Sequence, residues 1–163
     1  MPKFGPAGNS ESFSKMGYKN SLDVPEYIVK MGLDCYEYQC GRGVNIGEEK
    51  ARLLGEKAAK AGITLSLHAP YYISMSSTEG EKRDNSVNYI LASARAVNAM
   101  GGDRIVVHTG SCGKISRSDA LDLALDTMRK AIAALDGEGL SNIHICPETM
   151  GKVCLLYTSP SPR

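Results

Sequence analysis

Short runs in which apolar and polar residues alternate recur along the chain, separated by longer stretches with helical spacing. In "ITLSLHA" the residues Thr64, Ser66 and His68 fall on one face of a strand, and Ile63, Leu65 and Leu67 on the other. "RIVVH" sets Val106 and His108 against Ile105 and Val107. "NIHICPE" sets His144, Cys146 and Glu148 against Ile143 and Ile145. Two further runs complete the set: the aromatic-rich "CYEYQC", and "PKFGPAGN", an irregular first strand that passes into a loop.

The stretches between them read as helices. "SLDVPEYIVKMG" has Ser21 as its cap, Pro25 in its first turns and Gly32 as its stop. "IGEEKARLLGEKAAKAG" places Leu54, Ala58 and Ala61 on one face and ends at Gly62. Thr78 stands three residues before Glu81, the spacing of a capping box, ahead of a stripe of Val87, Ile90, Leu91, Ala94 and Val97. The last helix is expected to bury Leu121, Leu125, Met128, Ile132 and Leu135 before "DGEG" breaks it.

A βα unit repeated about five times implies an α/β fold with parallel strands and helices packed outside them. Either an open doubly wound sheet or a (β/α)8 barrel satisfies that order. Five units in about 150 residues give about 31 each, and eight such units give about 250, the usual size of a closed barrel. The strand faces favour the barrel as well. The aliphatic face of each strand suits the helices, and the polar face suits an interior whose last residue reaches the C-terminal mouth, where barrel active sites collect. We therefore expect residues 1–153 to be the first five or so units of one TIM-barrel domain.

Composition narrows the function. The 163 residues carry a formal net charge of +1, so no bulk charge draws the chain to nucleic acid, and an anionic substrate must meet a local patch. No apolar run approaches membrane-spanning length, and "MPKFGPAGNS" is not a signal peptide. The five cysteines form no CxxC pair, which suits free thiols in the cytosol.

His68, His108 and Glu148 each close an alternating run and stand 40 residues apart. Two neutral imidazoles and a carboxylate are a sound ligand set for zinc or a similar divalent ion, and the carboxylate is able to bridge two ions. Any one of them alone would read as a hydrogen-bonded structural residue; three at the same end of consecutive strands point to a metal. His144 lies on the same face as Glu148 but about 13 Å lower along the strand, and reads as structural. Cys112 and Cys146 read as small core or loop residues.

The segments "FGPAGNS", "YEYQCGRGVNI", "SLHAPYYIS", "VVHTGSCGK" and "CPETMGK" resemble the endonuclease IV family of the xylose-isomerase-like TIM barrels, over about residues 3–153. The resemblance implies a metal-dependent DNA-repair enzyme that cuts double-stranded DNA 5′ to abasic sites with up to three zinc ions. It implies that His68 and His108 are zinc ligands and that Glu148 is a catalytic carboxylate bridging two zincs. Tyr71 matches an aromatic residue that enters the DNA at the lesion, and Arg42 lies where the family places a DNA-contacting loop. Lys114, in "GSCGK", is a further candidate for a DNA phosphate, although that loop lacks the spacing of a nucleotide-binding P-loop. The protein is expected to act as a monomer.

The family's remaining ligands come from later strands, and residues 149–163 hold no His, Asp or Glu. The chain as written is thus expected to be inactive or nearly so, with its last strand an unpaired edge prone to aggregation. "CLLYTSPSPR", residues 154–163, has no structural periodicity and resembles translated sequencing-adapter read-through or a disordered tail. Lys152 is expected near the same mouth. The rival reading is a sugar isomerase or epimerase on the same barrel, using one divalent metal to polarise a hydroxy-ketone.

Overall fold

In the computed structural model, residues 1–148 are described. The expectations placed on residues 149–163, namely the tail and Lys152, lie outside them. The elements run α1 (Glu11–Lys15), a 3-10 turn (Ser21–Asp23), α2 (Val24–Lys30), β1 (Cys35–Gln39), α3 (Glu48–Lys60), β2 (Thr64–His68), α4 (Gly80–Ala99), β3 (Arg104–His108), α5 (Arg117–Gly137) and β4 (His144–Glu148).

The four strands form one parallel sheet in the order β1-β2-β3-β4. That order never reverses. A doubly wound sheet has a switch point where it does, so the winding is that of a barrel, with every crossover helix on one face. Leu65, Leu67, Ile105 and Val107 are buried on that face, against a core that includes Leu54, Ala58, Ile90, Ala94 and Val97. Full burial of aliphatic side chains such as Leu67 and Ile105 is worth about 2–3 kcal/mol each. No helix among the described residues is long and apolar enough to cross a membrane.

The N-terminal run is not a regular strand. It meets the sheet through a single parallel bridge, Ala7 to Glu37, with Gly8 N–H donating to Glu37 O and Glu37 N–H to Pro6 O. Pro2 and Pro6 lack the N–H that a ladder needs. Gly5 permits the close approach: a Cβ there would lie 1.7 Å from the Cys35 carbonyl oxygen.

Three helix details differ from the expectation. Asn20, not Ser21, caps the 3-10 turn before α2, in a reciprocal box with Asp23. Asp23 accepts from the Asn20 and Lys19 backbone N–H groups, which hold its carboxyl below the usual range. Helix α4 begins at Gly80 after Glu79, so Thr78 does not cap it. Ala61 follows the end of α3 and is exposed, while Ala51 takes the buried place on that helix.

The larger correction concerns α5. Its buried residues are Ala120, Ala124, Thr127, Ala131 and Leu135. Leu121, Leu125 and Ile132 are 40%, 42% and 48% exposed, and Met128 is only partly buried. α5 packs against α4 through the small residues, which let the helices approach closely, and the larger aliphatic stripe is turned aside.

Candidate metal centre

Two registers bring the three strand ends together. His68 lies opposite Val106, and His108 lies opposite Glu148. Each sits on the polar face of its strand, at the C-terminal end, where alternation puts it once the aliphatic residues have turned to the helices. His68 Nε2 is 3.0 Å from Glu148 Oε2, and His108 Nε2 is 3.2 Å from the same oxygen. The two imidazoles meet edge to face with centroids 5.1 Å apart. One ligand atom from each of the three residues lies within 4.8 Å of the others. The side chains are 16%, 23% and 39% exposed for His68, His108 and Glu148, so the centre is sheltered but reachable.

The hydrogen bonds constrain the chemistry. His68 Nδ1 lies 2.9 Å from the Ala69 carbonyl oxygen, which only accepts, so Nδ1 carries a proton. In a neutral ring Nε2 is then a bare lone pair, and it faces a carboxylate oxygen. A bare nitrogen facing an anionic oxygen is held there favourably only by a proton or by a shared cation, and His108 Nε2 meets the same oxygen. Zinc ligand atoms at 2.0–2.2 Å in tetrahedral geometry stand about 3.3 Å apart, close to the 3.0 and 3.2 Å that separate the two imidazole nitrogens from Glu148 Oε2. The set therefore fits a divalent ion, with Ala69 O as the outer partner that fixes the His68 ring.

The loops after β1 and β2 are tied at the same end. Cys40 N–H donates to His68 O, Tyr71 N–H to Gly41 O, and Ala69 N–H to Val106 O. This places Arg42 beside Tyr71, with Arg42 Nε donating to the tyrosine hydroxyl at 3.0 Å. Tyr71 and Tyr72 are about half exposed, with ring centroids 4.8 Å apart, and Tyr89 of α4 follows at 6.4 Å from Tyr72. Lys114 is exposed in the loop after β3. His144 pairs in register with Arg104 at the opposite end of β4, away from Glu148.

Three polar or aromatic neighbours escaped the sequence reading. Gln39 sits opposite His68 on β1 and donates to Glu37, two residues lower on the same face. The alternation of "CYEYQC" carried that signal. Tyr72 and Tyr89 extend the aromatic surface, and for Tyr89 the sequence offered no signal, because only folding brings α4 under the loop.

The sequence profile of the xylose isomerase-like TIM barrel family matches residues 25–161. The chain belongs to this family. It is 31% identical over 134 residues to an uncharacterised protein of Methanocaldococcus jannaschii, covering 82% of this chain and 48% of that protein. It is 30% identical over 106 residues to a probable endonuclease 4 of Malacoplasma penetrans, covering 65% of this chain and 35% of that protein. Among solved structures, the 3-keto-D-glucoside 4-epimerase YcjR of E. coli superposes with a TM-score of 0.72 at 16% identity, over 93% of this chain and 57% of that one. That likeness speaks for the fold. The chain spans about half the length, or less, of the curated relatives it matches.

Proposed function

We propose that the His68–His108–Glu148 centre binds zinc and belongs to a cytosolic DNA-repair hydrolase of the endonuclease IV type, acting as a monomer on double-stranded DNA 5′ to abasic sites. The observation that carries this reading is the convergence of two imidazole nitrogens on one Glu148 oxygen at the ends of β2, β3 and β4. The 30% identity to a probable endonuclease 4 supports the choice of substrate.

Zinc bound there would lower the pKa of a water and neutralise charge on phosphate oxygens. The protein's own groups then have separate tasks. Ala69 O holds the His68 ring so that Nε2 points into the centre. Glu148 supplies the negative charge that both imidazoles lack. Tyr71 offers an aromatic face where a base is missing, and a base-free nucleotide costs little to extrude. Arg42, oriented by the Tyr71 hydroxyl, contacts the phosphate backbone, and Lys114 adds a second cation from the loop after β3.

The family resemblance implies up to three zinc ions, and among the described residues His68, His108 and Glu148 form one ligand group. This chain is expected to bind zinc and abasic duplex. The single-metal sugar epimerase is the second reading, favoured by the fold likeness to YcjR. Zinc-loaded protein tested against an abasic duplex and a ketose, with and without chelator, separates them. Binding of the duplex supports the nuclease reading; ketose turnover without duplex binding overturns it.

A further inference from the structure

Gln39 closes β1 as His68 closes β2, and the metal chemistry leaves it unused. The two residues pair in register, so their side chains rise from the same face of neighbouring strands, side by side at the mouth. Gln39 is not the group that orients His68. Both ring nitrogens of that histidine are engaged elsewhere, Nδ1 with Ala69 O and Nε2 with Glu148. Glu37, two residues lower, likewise stands outside the ligand group of His68, His108 and Glu148.

The amide is nonetheless held in one orientation. Gln39 Nε2 lies 3.0 Å from Glu37 Oε1, and a carboxylate only accepts, so the nitrogen faces Glu37 and the amide oxygen faces away from it. The stem is fixed as well. Gly8, at a φ of 80°, packs directly against it: a Cβ there would lie 2.9 Å from Gln39 Cγ. Gly8 N–H in turn donates to Glu37 O, which ties the N-terminal run to the strand that carries both side chains. The head of Gln39 stays exposed, while Glu37 below it is half-buried.

The result is an oriented acceptor oxygen beside the centre, backed by a carboxylate. That combination is selective. It repels phosphate, which brings only acceptors and negative charge. It suits a neutral hydroxyl, which donates to the amide oxygen and accepts from the second amide N–H.

We infer that Gln39, positioned by Glu37 and Gly8, is a specificity-determining residue that binds a hydroxyl of the sugar held at the His68–His108–Glu148 centre. The identity of that sugar rests on the nuclease reading. An abasic deoxyribose bears a hydroxyl on its anomeric carbon, where an intact nucleotide bears its base, so a contact to that hydroxyl tells the two apart. A free ketose offers the same hydroxyl chemistry, and the test separates the two sources.

The test compares two duplexes by fluorescence anisotropy with the zinc-loaded chain, one holding a natural abasic site and one a tetrahydrofuran residue, which lacks that hydroxyl. D-fructose is titrated separately by calorimetry. The wild-type chain is expected to bind the natural site about 5-fold more tightly than the analogue, the effect of one hydrogen bond to a neutral group. Gln39→Leu is expected to erase that preference, with zinc affinity and circular dichroism unchanged. Glu37→Gln, which lets the amide turn over, is expected to reduce the preference with the fold equally intact. No preference in the wild-type chain, or a preference that Gln39→Leu keeps, would overturn the inference and leave the nuclease reading standing. Binding of D-fructose without either duplex, weakened about 5-fold in Gln39→Leu, would support the hydroxyl contact with a ketose as its source and overturn the nuclease reading instead. D-fructose bound alone and equally by both forms, or no ligand bound at all, would overturn both.

Discussion

Arg42 donates its Nε–H to the Tyr71 hydroxyl at 3.0 Å, joining the loop after β1 to the loop after β2. The bond orients a cation and an aromatic ring, both exposed, at the end of the sheet that bears His68. Stacking on an aromatic side chain is worth about 1–3 kcal/mol per base. Tyr71→Ala is thus expected to weaken binding of an abasic duplex by about 10-fold or more, measured by fluorescence anisotropy, with zinc affinity unchanged. Tyr71→Phe keeps the ring but frees the guanidinium, and a smaller loss is expected.

Thr127 anchors the same loop from below. Its buried hydroxyl lies 2.9 Å from Met75 O and 2.9 Å from Leu123 O, so one proton is shared between the loop and its own helix. Thr127→Val removes that proton and leaves the Met75 carbonyl buried without it. A loss of about 1–3 kcal/mol in urea denaturation is expected, with Thr127→Ser losing much less.

Alkaline stability follows from two buried acids. Burial pushes the Cys40 thiol up to about 12, and burial, aided by Tyr38, pushes the Tyr36 hydroxyl up to about 12. In the unfolded chain these groups ionise near 9.0 and 10.0. Between those values and about 12 the unfolded state binds fewer protons than the folded one, so stability falls as pH rises. A melting temperature that is level from neutral pH to about pH 9 and drops above it is expected, with a shallower drop in Cys40→Ala. A melting temperature constant to pH 11 would contradict the burial of both groups.

The strands and their termini were legible because alternation is a local property. In β2, β3 and β4 every second residue is aliphatic, and that alone decides which side chain ends at the mouth. Helix α5 was not legible in the same way, because two neighbouring faces are both apolar: alanines on one, leucine and isoleucine on the next. Hydrophobicity favours the larger residues for the core, whereas close helix packing selected the smaller ones, and only the tertiary structure decides between them. The N-terminal run falls short of a strand, since Pro2, Gly5 and Pro6 allow contact with β1 but not a ladder. At the site, the spacing of 40 residues identified the three candidate ligands. It did not reveal Gln39 as a neighbour of His68 or the extension of the aromatic surface to Tyr89, which depend on register and on helix placement.

Close packing between α3 and the end of α4 supplies a further test. A Cβ at Gly55 would lie 2.4 Å from the Met100 carbonyl oxygen, and backbone on both sides leaves little room to yield. Gly55→Ala is expected to destabilise the fold by about 1–3 kcal/mol although alanine is the better helix former. A stabilised variant would show that α3 does not approach α4 this closely.

Calorimetric titration of the metal-free chain with zinc bears most directly on the central claim, that His68, His108 and Glu148 share one cation. Saturable binding near one zinc per chain is predicted, weakened at least 100-fold in His108→Ala and in Glu148→Gln, each checked for intact circular dichroism. Absence of saturable binding, or binding that both variants leave unchanged, would contradict it.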